Sequence, residues 1–176
     1  MSDGSGKAST VVLIGPPGTG KSSVGRLLAS KLGVPFADTD DLVARAAGKP
    51  VGDIFVEDGE HVFRELERAA VARGLDATGP DGGVLALGSG AVLDLEVRQL
   101  ISRRTVVYLE AGFATVAKRS GMDRPRVVIP GNPRGRLRAM LEERRPIYAD
   151  LASLTVPTDD LAPEEVAADL AKRLSS

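Results

Sequence analysis

The chain has 176 residues, a formal net charge of −1 at pH 7, 43% hydrophobic residues and 27% charged residues. These values are typical of a globular protein with a substantial core and exclude extended disorder. Because cysteine is absent from the sequence, a disulfide framework and a thiolate metal site are also excluded. No apolar run approaches the about 20 residues of a membrane-spanning helix, so we expect no membrane partner.

The composition also bounds the organisation and the partners of the chain. We expect residues 1–9 to be a disordered leader and residues 10–176 to form a single domain, because no linker-like stretch divides them. The leader lacks the apolar segment of a secretory signal, which favours a cytoplasmic location. Nine basic and three acidic residues lie between Lys118 and Arg145, yet only 3% of the chain is aromatic. A small polyanionic ligand is therefore favoured over nucleic acid. No large apolar stripe is evident, and we expect a monomer.

Apolar segments alternate with helical patterns, which predicts an α/β fold with a parallel sheet and crossover helices. In chain order the patterns predict strand 10–14, helix 21–32, strand 35–38, helix 40–47, helix 59–73, strand 84–87, strand 105–109, helix 113–119, helix 136–148, strand 154–156 and helix 163–174. Residues 120–134 are rich in Gly, Pro and Arg and have no period, which indicates a mobile loop.

A complete phosphate-binding loop joins the first strand to the first helix. Residues 15–22 are Gly-Pro-Pro-Gly-Thr-Gly-Lys-Ser. Gly15, Gly18 and Gly20 remove side-chain bulk where backbone N–H groups must converge on phosphate oxygens. Lys21 adds a positive charge for the β and γ phosphates, and the Ser22 hydroxyl suits Mg²⁺. The helix that begins here directs its positive end at the anion, so the segment predicts a bound nucleotide.

Ligands of open parallel sheets lie beyond the carboxyl ends of the strands, and three chemically suited segments follow predicted strands. They are 15–22, 38–40 and 88–90, and we expect them to surround one crevice. Asp38 and Asp40 flank Thr39 at a strand end, so extended geometry would aim the two carboxylates apart. One would serve Mg²⁺ and the other an acceptor alcohol, although Asp40 could instead cap the next helix. Glu110, which also closes an apolar strand, is interpreted as a solvated turn residue.

These residues resemble the shikimate kinases over essentially the whole chain. The matching segments are 15–22, Asp38-Thr-Asp40, Ile54-Phe with Gly59-Glu60, Phe63-Arg-Glu-Leu-Glu67, Leu87-Gly-Ser-Gly-Ala-Val92, Arg124-Pro125 and Arg144-Arg-Pro-Ile-Tyr148. The resemblance implies a three-layer P-loop kinase fold, of the nucleoside monophosphate kinase type, with a five-stranded parallel sheet flanked by helices. It also implies a substrate-binding region at about 38–74 and a mobile lid at about 120–134.

The same resemblance implies an activity, transfer of the γ phosphate of ATP to the 3-hydroxyl of shikimate, and a role for each matching residue. Lys21, Asp40 and Arg124 would be catalytic, with Asp40 as the acceptor-binding aspartate and candidate general base. Shikimate would be bound by Asp40, Arg64, Gly88, Ser89, Gly90 and Arg144, the arginines holding its carboxylate. Mg²⁺ would lie near Ser22 and Asp38. ATP would contact Gly15, Gly18, Thr19, Gly20, Lys21, Ser22, Ser23, Arg119 and Pro163.

Several points stay open at this stage. Ser89 replaces the middle glycine of the Gly-Gly-Gly turn that is typical of the family. Backbone strain is expected if that position requires a positive φ. Arg126 could share the lid role of Arg124. A kinase for another polyhydroxy acid, such as gluconate, is an alternative, as is a nucleotide-binding module without catalysis. His61, the single histidine, is expected on an exposed helix flank and is assigned no chemistry.

Overall fold

Five parallel strands form the centre of the protein, for which a computed structural model describes residues 9–122 and 131–176. The strand order is β2-β3-β1-β4-β5, and each neighbouring pair is parallel. The bounds are β1 Val11–Ile14, β2 Phe36–Asp38, β3 Val84–Ala86, β4 Thr105–Glu110 and β5 Leu154–Pro157. The predicted five-stranded parallel sheet is confirmed, and each strand differs from its predicted range by one residue at one end.

Helices cover both faces of this sheet. Their bounds in the described residues are α1 Lys21–Leu32, α2 Thr39–Ala47, α3 Val51–Glu57, α4 Gly59–Ala77, α5 Leu95–Ile101, α6 Phe113–Arg119, α7 Pro133–Leu151 and α8 Pro163–Leu174, with a short 3₁₀ helix at Ala91–Leu93. None of these helices combines the length and the apolar character required to cross a bilayer.

The alternation of β1 explains the three layers. Val11 and Leu13 pack with residues of α1 and α8, whereas Val12 and Ile14 pack with residues of α4, α5 and α7. All four of these side chains are buried because the sheet is covered on both faces, as is typical of parallel sheets. The sheet edge at the carboxyl ends of the strands is therefore the place where connecting segments can form a site.

Three short helical segments were not predicted, and a fourth begins earlier than predicted. α3, α5 and the 3₁₀ helix were not predicted, because each is only three to seven residues long and shows no full helical repeat. α7 begins at Pro133 instead of 136, since the Asn132 side chain accepts a hydrogen bond from Gly135 N and Pro occupies the first turn. Residues 133 and 134 of the predicted loop thus belong to a helix. Residues 123–130, with Arg124 and Arg126, lie outside the described residues.

Candidate active site

The loop 15–22 has its phosphate-binding shape in this structure. At Gly15, where φ is +150°, an added Cβ would lie 2.5 Å from Leu109 O of the neighbouring strand. The Thr19 hydroxyl donates a hydrogen bond to Pro16 O at 3.0 Å across the base of the loop. The loop is thus held both by a close contact with β4 and by its own side chain, and its backbone is organised before a ligand arrives.

Lys21 is the half-buried cation of this loop. Its Nζ donates hydrogen bonds to Gly15 O at 2.8 Å and Pro16 O at 2.9 Å. Burial lowers the pKa of Lys21 to about 8, although the negative charges of Asp40 and Asp38 oppose that shift. Within residues 9–122 and 131–176 the hydrogen bonds of this ammonium group go to neutral carbonyl oxygens, and an incoming phosphate would supply a counter-charge in direct contact.

Asp38 and Asp40 lie on different elements, as the predicted strand 35–38 and helix 40–47 require, so the extended geometry assumed for the two carboxylates is wrong. β2 ends at Asp38, and Asp40 belongs to the first turn of α2. The cap of α2 is Asp38, whose Oδ1 accepts a hydrogen bond from Asp40 N at 2.9 Å, so the alternative of an Asp40 cap is wrong. The second oxygen of Asp38 accepts a hydrogen bond from the Ser22 hydroxyl. These two contacts occupy Asp38 and leave the Asp40 carboxylate facing a cavity.

The central cavity joins these groups. It measures about 320 Å³ and is lined by, among others, Gly18, Lys21, Ser22, Asp38, Asp40 and Ser89. The structure thus brings together the three segments that the sequence assigned to one crevice. Burial raises the pKa of Asp40, and the neighbouring Asp38 carboxylate raises it further, while Lys21 acts in the opposite direction. A carboxylate with a raised pKa accepts a proton more readily than an ordinary aspartate.

A second cavity, the arginine cavity, lies beside the first. It measures about 200 Å³ and is lined by Asp40, Val51, Phe55, Phe63, Arg64, Glu67, Ser89, Gly90 and Arg144. Asp40 and Ser89 line both cavities, so the two spaces meet at these residues. The arrangement places two guanidinium groups on one side of Asp40 and the phosphate-binding loop on the other.

Arg64 is held by Glu67, which the sequence analysis did not single out. Arg64 Nη1 donates to Glu67 Oε1 at 2.7 Å. The side chain of Arg64 is 21% exposed and that of Glu67 only 3%. Burial raises the pKa of Glu67, and the bond from Arg64 opposes that shift. The available signal was the i, i+3 spacing of an arginine and a glutamate on one helix, which places the two side chains side by side.

The turn 88–90 contacts the charged groups of both cavities through two glycines. A Cβ on Gly88 would lie 2.8 Å from Asp40 Oδ1, and a Cβ on Gly90 would lie 2.9 Å from Arg64 Nη1. At Ser89 the expected strain is absent, because Asp160 is the one non-glycine residue with positive φ between 9 and 122 or 131 and 176. The middle position therefore accepts a side chain without strain, whereas a side chain on either neighbour would displace a charged group of the site.

α7 approaches the same turn from the other side. Arg144 Nη1 lies 3.4 Å from Ser89 Oγ, and the Tyr148 hydroxyl donates to Ser89 O at 2.6 Å. The buried Arg144 Nε has no hydrogen-bond partner within the described part of the chain. The guanidinium group of Arg144 thus retains the capacity to bind an anion in the arginine cavity.

An outer cavity lies beyond the phosphate-binding loop. It measures about 320 Å³, and its lining includes Gly18, Arg119, Thr158, Leu161 and Pro163. Arg119 Nη1 donates to Gly18 O at 3.1 Å, and Arg119 Nη2 donates to Thr158 O at 3.0 Å. The structure therefore places Arg119 and Pro163, both predicted to contact ATP, on one cavity next to the loop, and the lining of this cavity contains both apolar and polar side chains.

Other predicted residues lie elsewhere. Arg124 and Arg126 fall on residues that the structure does not describe. Glu110 is exposed at the end of β4, and its carbonyl accepts a hydrogen bond from the Thr158 hydroxyl at 2.9 Å. His61 is exposed on α4, beside Glu65. No group of three or more His, Cys, Asp or Glu able to hold a metal occurs among residues 9–122 and 131–176. The oxygen pair of Ser22 and Asp38 remains as the site chemically suited to Mg²⁺.

Comparison with known proteins gives one consistent answer. The sequence model of the family "Shikimate kinase" matches residues 17–175. A shikimate kinase of Thermobifida fusca (strain YX) is 55% identical over 163 residues, which is 93% of each chain. One of Saccharopolyspora erythraea is 44% identical over 166 residues, 94% of this chain and 93% of the relative.

Solved structures agree with the sequence comparison. A shikimate kinase from Acinetobacter baumannii, solved in complex with shikimate, superposes with a TM-score of 0.84 and 31% identity, covering 96% of this chain and 93% of that one. A gluconokinase from Sinorhizobium meliloti 1021 reaches a TM-score of 0.56 at 20% identity, over 96% and 97% of the chains, and shares the fold alone. The sequence match spans nearly the whole chain, and the sheet order and phosphate-binding loop are those of a P-loop kinase, so this chain belongs to the shikimate kinase family.

Proposed function

We propose that this protein transfers the γ-phosphoryl group of ATP to the 3-hydroxyl of shikimate, giving shikimate 3-phosphate and ADP. The observation that carries this proposal is that Asp40 lines both the central cavity and the arginine cavity. A carboxylate at that junction can contact an acceptor hydroxyl whose phosphoryl donor lies in the loop. The acceptor should therefore carry both a hydroxyl and a carboxylate. Shikimate, the substrate of the family to which the chain belongs, has both groups.

The donor side follows from the loop and the outer cavity. The backbone N–H groups of residues 15–22, together with Lys21, suit the phosphates of ATP, and Thr19 and Ser23 belong to the same cradle. Arg119 and Pro163 flank the outer cavity, which suits the base. A cation next to the transferred group stabilises charge in the transition state, which is the main contribution of a protein to phosphoryl transfer.

The acceptor side follows from the arginine cavity. Arg64 and Arg144 would bind the shikimate carboxylate, because a guanidinium fork matches a carboxylate with two parallel hydrogen bonds. Asp40 would then accept the proton of the 3-hydroxyl while the hydroxyl oxygen bonds to the γ phosphorus. The bond from that phosphorus to the bridging oxygen breaks, and ADP leaves with the electron pair. Arg124, with Arg126 as the alternative, would contribute a further cation from the segment 120–134.

Mg²⁺ belongs to the proposal through two side chains. Ser22 and Asp38 would hold the ion, since their hydroxyl and carboxylate oxygens already contact each other and oxygen ligands suit a hard cation. When bound, Mg²⁺ supplies neutralisation of phosphate charge. Asp38 Oδ2 would give up its hydrogen bond from Ser22 in order to bind the ion. Asp38 Oδ1 would keep its hydrogen bond from Asp40 N, which caps α2.

The proposal extends to the setting of the enzyme. We infer that residues 10–176 act as one domain, as a monomer, in the cytoplasm, without a nucleic-acid or membrane partner. The near-neutral net charge and the absence of cysteine support this inference. Light scattering of the purified protein at increasing concentration is expected to give the mass of one chain, and a concentration-dependent dimer would contradict the monomer.

Release of ADP is the direct test. With MgATP we expect turnover that depends on shikimate, and none above background with gluconate or a nucleoside monophosphate. Asp40→Asn is expected to lower kcat by about 10²–10⁴-fold, because it removes the group that accepts the proton. Lys21→Met is expected to lower kcat by about 10²–10³-fold through loss of charge stabilisation.

The matched control is Lys31→Met, which removes an exposed lysine from the same helix and should leave kcat unchanged. Turnover with gluconate alone would refute the acceptor. ATP binding without turnover of any of the three acceptors would favour the nucleotide-binding module instead.

A further inference from the structure

Ser89 is the residue through which the two cavities and α7 meet. It lines the central cavity and the arginine cavity, and it is the one residue of the turn 88–90 that is partly exposed. A side chain on Gly88 or Gly90 would displace the Asp40 carboxylate or the Arg64 guanidinium. The Ser89 hydroxyl is therefore the single side-chain polar group that this turn presents to a ligand.

The backbone of Ser89 is fixed, whereas its hydroxyl is not saturated. The Tyr148 hydroxyl donates to Ser89 O at 2.6 Å, and Tyr148 is fully buried, so the turn is anchored to α7. Ser89 Oγ lies 3.4 Å from Arg144 Nη1, which is longer than an ordinary N–H···O bond. A hydroxyl has one proton to donate and two lone pairs to accept with. Ser89 can thus accept from Arg144 and still donate to a third group.

Arg144 also lacks a hydrogen-bond acceptor that a ligand could supply. Its Nε is buried without a hydrogen-bond partner within residues 9–122 and 131–176, and a buried guanidinium nitrogen without a partner is costly. A carboxylate in the arginine cavity would satisfy Arg144, and one of its oxygens would then lie within reach of the neighbouring Ser89 hydroxyl.

We propose that Ser89 is a specificity-determining residue, whose hydroxyl orients the Arg144 guanidinium and donates a hydrogen bond to the carboxylate of the acceptor. This inference rests on the proposed function, because it names a third group on the same carboxylate. A glycine at this position would leave the binding of the carboxylate to guanidinium groups alone. The serine adds discrimination for an ionised acid over a neutral analogue.

The test is a comparison of Ser89→Ala with the unchanged protein. Alanine keeps the β-carbon and removes only the hydroxyl. We expect the KM for shikimate to rise about tenfold, the lower end of the range for loss of one hydrogen bond to a charged group, with the KM for ATP and kcat unchanged. Ser89→Thr, which restores a hydroxyl, should return the KM for shikimate toward that of the unchanged protein. Ser89→Gly should behave like Ser89→Ala and serves as the second variant if Ser89→Thr does not fold.

A neutral ligand identifies the carboxylate as the target. The carboxamide of shikimate, tested as a competitive inhibitor, keeps a carbonyl oxygen that can accept from the Ser89 hydroxyl but carries no charge, so its inhibition constant should rise less in Ser89→Ala than the KM for shikimate does. An equal loss for shikimate and its carboxamide would overturn the proposal, as would a loss confined to kcat, which would place Ser89 on the transferred phosphoryl group. An unchanged KM in Ser89→Ala refutes this inference alone, whereas the absence of shikimate turnover in the unchanged protein refutes the proposed function.

Discussion

The central cavity and the arginine cavity are built in different ways. The phosphate-binding part of the central cavity comes from one continuous segment, residues 15–22, between β1 and α1. The arginine cavity takes its charged groups from α2, α4 and α7, and the turn 88–90 completes it. A site made by one short segment can be identified from its residues in order. A site made by four separated segments exists only after the sheet has brought their ends together.

The charges of the two cavities also differ in their partners. Lys21 Nζ bonds to two neutral carbonyl oxygens, whereas Arg64 bonds to the buried carboxylate of Glu67. Asp38 and Asp40 act on Lys21 only through space, so an anion that reaches Lys21 does not have to displace a directly bonded acid within the described residues. An anion that reaches Arg64 must share it, which fixes the guanidinium in place before binding. The first arrangement favours strong binding of phosphate, and the second favours a defined geometry for the acceptor.

The largest effect that would separate the two cavities is expected from Arg64→Ala. Hydrogen bonds to charged groups contribute about 1.5–3 kcal/mol, so the KM for shikimate should rise roughly 10- to 100-fold. The KM for ATP should stay unchanged, because Arg64 lines only the arginine cavity. Steady-state kinetics with each substrate varied in turn measures both values.

Arg73→Ala is the matched control for this variant. Arg73 is an exposed arginine on the same helix and lines neither cavity. It should change neither KM. If Arg64→Ala weakened ATP and shikimate by equal factors, the carboxylate role of Arg64 would be refuted, and the separation of the two cavities would fail with it.

A smaller effect is expected from pH on the central cavity. Burial holds the pKa of Lys21 at about 8, so the free protein loses this charge as the pH rises through that value. The affinity for ATP should fall about fivefold between about pH 8 and about pH 9, as for one group that titrates there. Calorimetric titration with ATP across this interval measures the change. Shikimate affinity should not follow the same curve.

Lys21→Arg separates this titration from other groups, since a guanidinium keeps its charge over the whole interval. It should remove the fall in ATP affinity, and a fall of the same size in this variant would exclude Lys21 as the cause. The stability of the free protein should change with pH in the direction opposite to the ATP affinity. The folded pKa lies below the ordinary value of 10.5, so the folded state binds fewer protons between the two values. The free energy of unfolding, relative to Lys21→Met, should therefore rise from about pH 8 upward.

Much of the fold was predictable from the sequence, because the buried strands are short apolar runs and the longer helices have a clear period. The short helices were not. α5, Leu95–Ile101, contains too few residues for a repeat, and its one signal was Asp94, whose side chain caps it by accepting from Glu96 N at 2.8 Å. α3 lacks even this signal, since Pro50 at its N-cap makes no side-chain bond. These helices form because tertiary packing covers Ile54 and Val97, which are fully buried.

The site divides in the same way. Lys21 and Ser22 were assigned from the loop by its chemistry, whereas Arg64 and Arg144 required the family resemblance. Glu67 and Tyr148 were assigned no role. Their hydrogen bonds, to Arg64 and to Ser89 O, are seen only in the folded chain. Asp40 was predicted at the correct edge of the sheet and at the start of helix 40–47, and α2 begins one residue earlier, at Thr39.

The smallest expected effect concerns the anchor between α7 and the turn 88–90, and two stacked tyrosines provide a paired experiment. The rings of Tyr108 and Tyr148 lie 5.2 Å apart, and both side chains are buried. Burial raises the pKa of Tyr148 to about 12, so its phenol stays protonated and donates to Ser89 O. The Tyr108 hydroxyl has no hydrogen-bond partner in the described residues.

Tyr148→Phe should therefore lower the free energy of unfolding by about 1 kcal/mol, because it leaves a carbonyl without its donor, and the Tm by about 2–4 °C for a protein of this length. Tyr108→Phe removes a hydroxyl that makes no bond and should leave the Tm unchanged or raise it. Thermal unfolding of the two variants, identical in composition, isolates the bond from the packing of the rings. An unchanged Tm in Tyr148→Phe would show that the bond to Ser89 O contributes nothing and that α7 is held to the turn by ring packing alone, and the anchoring of Ser89 would then have to come from its contact with Arg144.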